Sequence, residues 1–406
     1  MGKLAAFTVA GFMALSQASQ ADAQRGLATR AMVDPPRVPT PFRTGAAPAP
    51  PPLTSPLSAN QAPGPAADDA LFAAALNAQT AGSMPKARKL WFELIKNHPR
   101  SRHIPSAYMS FGDYFFSQGS MANALKFYRR VMRDFRTYQH NAYIQVKVAW
   151  AELNMGRFQN ALQEFFKAWS RRPGPALTPV IQHGLIVSYA QIGKAQRAYQ
   201  FFRRVNRNSA LVMLERLGLL YQSQGKYRQA VFTFRALISH RPRSPKTCDW
   251  QLAVASSFIS LDRKKKSVRA LIDSMRLVSA LQKRGTRLGS CARRVQNAAY
   301  WRASAMQREA HKTRGLSKLL RLAARLYAAY GNSFPRGPHI ANVRFFHSEA
   351  LWRLARLEKN TRLAKQKWRS ASAAFHRAAS TPGQPRPRVK EARRASRLAS
   401  QNASRL

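Results

Sequence analysis

The 406 residues are 45% apolar, enough for a long continuous core, while Lys and Arg outnumber Asp and Glu by 68 to 17, a net charge of +51. That surplus cannot be neutralised within the chain and calls for an anionic partner or surroundings. Acidic residues are too sparse for paired catalytic carboxylates, and the nine histidines come with no HExxH, GxSxG, phosphate-loop or paired-cysteine pattern, so no catalytic residue, metal ligand or cofactor is expected.

Read from the N-terminus, Lys3 precedes an apolar run from Leu4 to Leu15, and Ala21-Asp22-Ala23 offers a small-x-small cleavage pattern. Residues 1–23 therefore read as an export signal, their apolar run being too short to span a bilayer. A mitochondrial presequence, given Arg25 and Arg30, and an unprocessed N-terminus are the other readings. No cysteine lies near the cut, so the mature protein is expected to be soluble, without a lipid anchor, and periplasmic or secreted. Residues 24–67 hold eleven of the 24 prolines and are expected to form a disordered, extended linker.

A glycine, an alanine five residues on and an aromatic four further recur five times: Gly82/Ala87/Trp91, Gly119/Ala124/Tyr128, Gly156/Ala161/Phe165, Gly193/Ala198/Phe202 and Gly225/Ala230/Phe234. The glycines lie 37, 37, 37 and 32 residues apart, a period that marks a helical solenoid. Glycine accepts positive φ at a helix break, alanine permits close approach, and the aromatic one turn later fills the space beside it. Pro99, Pro173 and Pro242 fall 17 residues after their glycines, where a helix must stop. Upstream, Phe111, Val148, Leu185 and Leu217 mark the first helix of each pair.

This pattern resembles the tetratricopeptide repeat, and the stretches around His98-Pro99-Arg100-Ser101, Ala149-Trp150 and Phe345-Phe346 resemble long-period repeats of bacterial envelope proteins, among them the Bam-complex lipoprotein, the Tol–Pal coordinator and gliding-motility proteins. The resemblance implies an all-α fold, a right-handed superhelical solenoid of antiparallel helix pairs over residues 68–283. Two departures stand out: the tyrosine four before the glycine is replaced by Phe115, Glu152 and Ala78 in three units, and three intervals exceed the family's usual length.

The resemblance also implies that first helices line a concave groove, which places Met109, Asp113, Phe116, Val146, Trp150, Leu153, His183, Val187 and Gln222 there, with Tyr143 beside it. Aromatic anchors of this kind suit a peptide or partner helix. Packing between adjacent units is the alternative for each of them.

Second helices end in cations: Arg129, Arg130 and Arg133; Arg171 and Arg172; Arg203, Arg204 and Arg207; Arg241 and Arg243. Recurring at one repeat phase, they are expected to form a rim. Arginine pairs bidentately with phosphate and carboxylate, so lipopolysaccharide, lipid headgroups or cell wall are the partners expected in an envelope, with nucleic acid the competing polyanion. Lys264, Lys265 and Lys266 read as a solvated loop. Cys248 and Cys291 sit near the starts of successive first helices, so a disulfide and two buried thiols are both open. From Arg284 the triplets fade while helical periodicity persists, so residues 284–380 read as degenerate repeats and a cap, and residues 381–406 as a basic tail, a frayed helix.

Overall fold

In the computed structural model, the residues described are 67–138, 141–312 and 316–406. The segment read as an export signal and, apart from Ala67, the one read as a disordered linker lie outside them. Seventeen α-helices and no strand occur among the described residues. They are α1 (Ala67–Thr80), α2 (Met84–Asn97), α3 (Ile104–Ser117), α4 (Met121–Asp134), α5 (Asn141–Asn154), α6 (Phe158–Ser170), α7 (Thr178–Ile192), α8 (Ala198–Val205), α9 (Ala210–Ser223), α10 (Tyr227–His240) and α11 (Thr247–Ser260). Longer helices follow: α12 (Lys264–Lys283), α13 (Cys291–Lys312), α14 (Leu316–Ser333), α15 (Ile340–Arg356), α16 (Thr361–Ala379) and α17 (Arg386–Ser404). Each packs chiefly on its neighbours in the chain, as in a linear stack of helix pairs.

The triplets build the first ten helices. Gly82, Gly119, Gly156 and Gly225 take φ of 76°, 74°, 74° and 71° between the paired helices, the left-handed region that closes a helix end. The triplet rings Trp91, Tyr128, Phe165, Phe202 and Phe234 are all 0–2% exposed, each stabilising the fold by roughly 2–3 kcal/mol of transfer free energy. Glycines on adjacent helices make room for two of them: a Cβ on Gly112, in the helix before, would stand 2.4 Å from the Tyr128 ring, and one on Gly184, in the helix after, 2.2 Å from the Phe165 ring.

Gly193 departs from the expected turn. Its φ is −80°, and the chain passes through a 3-10 turn, Ala195–Arg197, before α8 begins. Here a Cβ would meet the Tyr189 ring at 2.3 Å, and the Tyr189 hydroxyl donates to the Lys194 carbonyl at 2.9 Å. Glycine is needed at this junction for space, not for positive φ.

Beyond α10 the packing changes character. Lys264, Lys265 and Lys266 form the first turn of α12 instead of a loop. Cations oppose the dipole at a helix N-terminus, and Lys264 is offset by Glu309 of α13 at 2.6 Å. The C-terminal segment is likewise not frayed: Ala392, Ala395, Ala399 and Ala403 are buried, packed with residues of α15 and α16 such as Phe375, Ala371 and Trp368. The alanines recur every three or four residues and let two backbones approach closely. Ser372 of α16 reaches the hydroxyls of Ser396 and Ser400 at 3.2 and 2.8 Å, and Arg388 lies over the rings of Phe345 and Phe346.

Cys248 near the start of α11 and Cys291 at the start of α13 are joined by a disulfide with their Cα atoms 6.3 Å apart. Arg294 and Asp249 form an ion pair between the same two helices.

Candidate functional site

The residues expected to line the groove are mostly interior. Met109, Phe116, Tyr143, Val146, Trp150, Leu153 and Val187 are 0–8% exposed, while Asp113, His183 and Gln222 are half-buried. Helix α5 shows why: every residue from Tyr143 to Leu153 is buried, so the helix is covered on all sides. Trp150 meets Phe165 edge to face at 5.2 Å between ring centres and lies 6.0 Å from His183. Burial and the neighbouring Arg216 hold His183 below the usual histidine range. Gln222 donates to the Ala253 carbonyl at 3.1 Å and to Ser257 at 2.9 Å, tying α9 to α11.

Three of these residues converge on a group that sequence reasoning passed over. Lys147, 6% exposed, places Nζ 2.9 Å from Asp113 and over the rings of Phe116 and Tyr143, at 5.5 and 5.3 Å. Tyr128 donates to the same carboxylate at 2.6 Å, and burial followed by the Asp113 charge pushes its hydroxyl far above the ordinary phenol range. A buried cation survives only when paired and hydrogen-bonded. The signal was a lone lysine inside the otherwise largely apolar run from Tyr143 to Ala151.

All ten rim arginines are exposed, but they divide into two kinds. The first cluster is engaged internally. Arg129 pairs with the buried carboxylate of Glu152, which stands where the repeat pattern has tyrosine; Arg130 lies 4.6 Å over the Tyr108 ring; Arg133 donates to Asp134 at 2.7 Å. The other seven, Arg171, Arg172, Arg203, Arg204, Arg207, Arg241 and Arg243, make no ion pair with any described residue. Arg203 and Arg204 lie in the last turn of α8, and the other five lie just beyond the C-terminal ends of α6, α8 and α10 in three successive units.

Stacked helix pairs with buried triplet rings define a helical-repeat protein. Within the array, residues 213–244, covering most of α9, all of α10 and the turn after it, match the family model described as tetratricopeptide repeat, so the chain carries such a repeat there. No curated protein matches the sequence. Similar solved structures include a tetratricopeptide repeat protein from Parabacteroides merdae, 17% identical over 72% of this chain and 98% of that one with a TM-score of 0.29. The P58(IPK) TPR domain is 12% identical over 84% and 98%, with a TM-score of 0.29. The C-terminal part of a TPR repeat-containing protein from Cytophaga hutchinsonii is 15% identical over 70% and 98%, with a TM-score of 0.27. Repeats of this kind are interaction scaffolds in general, and among the described residues no helix is long and apolar enough to cross a membrane.

Proposed function

We propose that this protein is a non-catalytic scaffold of the bacterial cell envelope that carries a protein partner on its helical repeats while its arginine rim associates with an anionic surface. The observation that carries the reading is the set of seven exposed arginines at and just beyond the C-terminal ends of the second helices of three successive repeats, none of them ion-paired with a described residue. A helix C-terminus favours one or two cations by about 0.3–1 kcal/mol each, which accounts for a basic end but not for clusters left unpaired in a chain of this charge. Guanidinium groups in that arrangement suit the phosphates of lipopolysaccharide or lipid headgroups.

The export signal in the sequence and the disulfide between Cys248 and Cys291 both support an oxidising compartment. The partner surface is the half-buried set around Asp113 and His183, with the packed aromatic residues behind it holding its shape.

Co-sedimentation of the full chain with vesicles tests the rim. Binding to vesicles containing lipopolysaccharide is expected, declining steeply as salt rises, and weakening at least tenfold in the variant Arg203→Gln, Arg204→Gln, Arg207→Gln. Equal binding to zwitterionic vesicles, or stronger competition by DNA than by lipopolysaccharide, would remove the envelope reading.

A further inference from the structure

Away from the rim, α12 and α14 line an open cleft of about 530 Å³. Its lining from α12 includes Arg276, Ser279 and Lys283, and from α14 Arg325, Asn332 and Ser333, each set spaced to lie on one helix face. None of the three cations makes an ion pair with a described residue; Asp273, three positions before Arg276 on α12, pairs with none of them. Ser279, Asn332 and Ser333 donate to no described residue either, whereas Ser274, on the buried face of the same α12, donates to the Ala270 carbonyl at 2.8 Å. Six polar groups from two helices thus line one cleft, none of them engaged by another described residue. Between them the wall is apolar, formed by Ile272, Ala280 and Ala329.

We propose that this cleft is a binding site for a phosphate ester. The phosphate would sit among Arg276, Lys283 and Arg325, where two guanidinium forks and an ammonium supply charge-assisted hydrogen bonds. Hydroxyl and amide donors from Ser279, Ser333 and Asn332 complete the coordination, and the organic part of the ester rests on the apolar wall. Specificity comes from this division, a few placed polar groups over an apolar surface. The site is separate from the rim, and neither proposal rests on the other.

The ester has two sources, a lipid headgroup or a water-soluble phosphate, and calorimetric titration of the full chain distinguishes them. The probes are dihexanoyl phosphatidic acid below its micellar concentration, glycerol 3-phosphate, inorganic phosphate and, as zwitterionic control, dihexanoyl phosphatidylcholine. Binding of at least one phosphate probe is expected, tenfold weaker or more in Arg276→Gln, Lys283→Gln, Arg325→Gln and unchanged in the control variant Arg362→Gln, Arg369→Gln on the exposed side of α16. Preference for the dihexanoyl ester over glycerol 3-phosphate by tenfold identifies a lipid; equal affinity identifies a soluble ester. Because all three cations are exposed, their replacement leaves the helices folded, which circular dichroism checks. Absence of binding, equal loss in both variants, or binding of phosphatidylcholine equal to that of phosphatidic acid overturns the site.

Discussion

From Ala67 to His240 the second helix of nearly every pair seats one large ring on its neighbour; between Ala355 and Ala403 alanines make up most of the buried clusters. The first arrangement concentrates stability in a few close-fitting positions and tolerates charged surfaces elsewhere. The second spreads it along helices of 17 to 22 residues, where rings such as Tyr327, Tyr330 and Phe375 are buried without a recurring spacing. Repetition supplies specificity in the first region and length supplies it in the second, and the disulfide lies between them.

Removing that covalent link is expected to separate the two regions most clearly. Cys248→Ala with Cys291→Ala opens a loop with a sequence separation of 43 and is expected to cost about 4 kcal/mol by the chain-entropy relation. In urea, the variant's C-terminal helices should melt before the triplet region; a single unchanged transition would refute a role at the junction. Overpacking a ring seat comes next. Gly184→Ala, which places a Cβ 2.2 Å from the Phe165 ring, is expected to destabilise the repeat region by about 3 kcal/mol, while Ala399→Gly in α17 is expected to cost about 1 kcal/mol. Thermal melts compare the two.

A pH effect sharpens the contrast further, because the C-terminal region holds titratable groups inside its packing. Burial raises Glu349 from 4.5 to about 7, against the opposing pull of Arg353, while burial and Arg377 lower His347 from 6.5 to about 4. Between about 4.5 and 7 native Glu349 keeps a proton that the unfolded chain has released, so its contribution to stability declines as pH rises. His347 works the other way between about 4 and 6.5, where only the unfolded chain is protonated, and the two slopes offset. Glu349→Gln should therefore leave stability unchanged near pH 4, produce a net rise from pH 4.5 to 6.5, and gain roughly 3 kcal/mol at pH 8. Denaturant melts across that range check the sign. The smallest contrast lies within the rim: Arg129→Gln, which weakens the pairing of buried Glu152, is expected to cost about 1–2 kcal/mol, against less than about 0.5 kcal/mol for Arg203→Gln.

The helix pairs were legible because their instructions are local: a glycine, an alanine and a ring at fixed spacing fix a turn and a face without reference to distant residues. Gly193 was misread because its requirement is set by the position of the Tyr189 ring, a tertiary fact. Most of the residues placed on the groove are apolar, yet their exposure depends on how neighbouring helices cover α5, which spacing does not encode. Lys147 and Asp113 belong to different helix pairs, so nothing in either segment announces the other. Helix α17 was obscured by composition, since prolines and arginines dominate a segment whose packing rests on four alanines with little hydropathic contrast.

The crosslink between α11 and α13 also governs what happens under tension. A stack held by neighbour contacts yields to pulling one unit at a time, but the segment with a sequence separation of 43 between the bonded cysteines stays short-circuited. At about 3.5 Å per residue, some 150 Å of contour length is withheld from extension. Anchored at one end and loaded at the other, such a tether would lengthen to a fixed stop, and reducing the bond would move that stop outward.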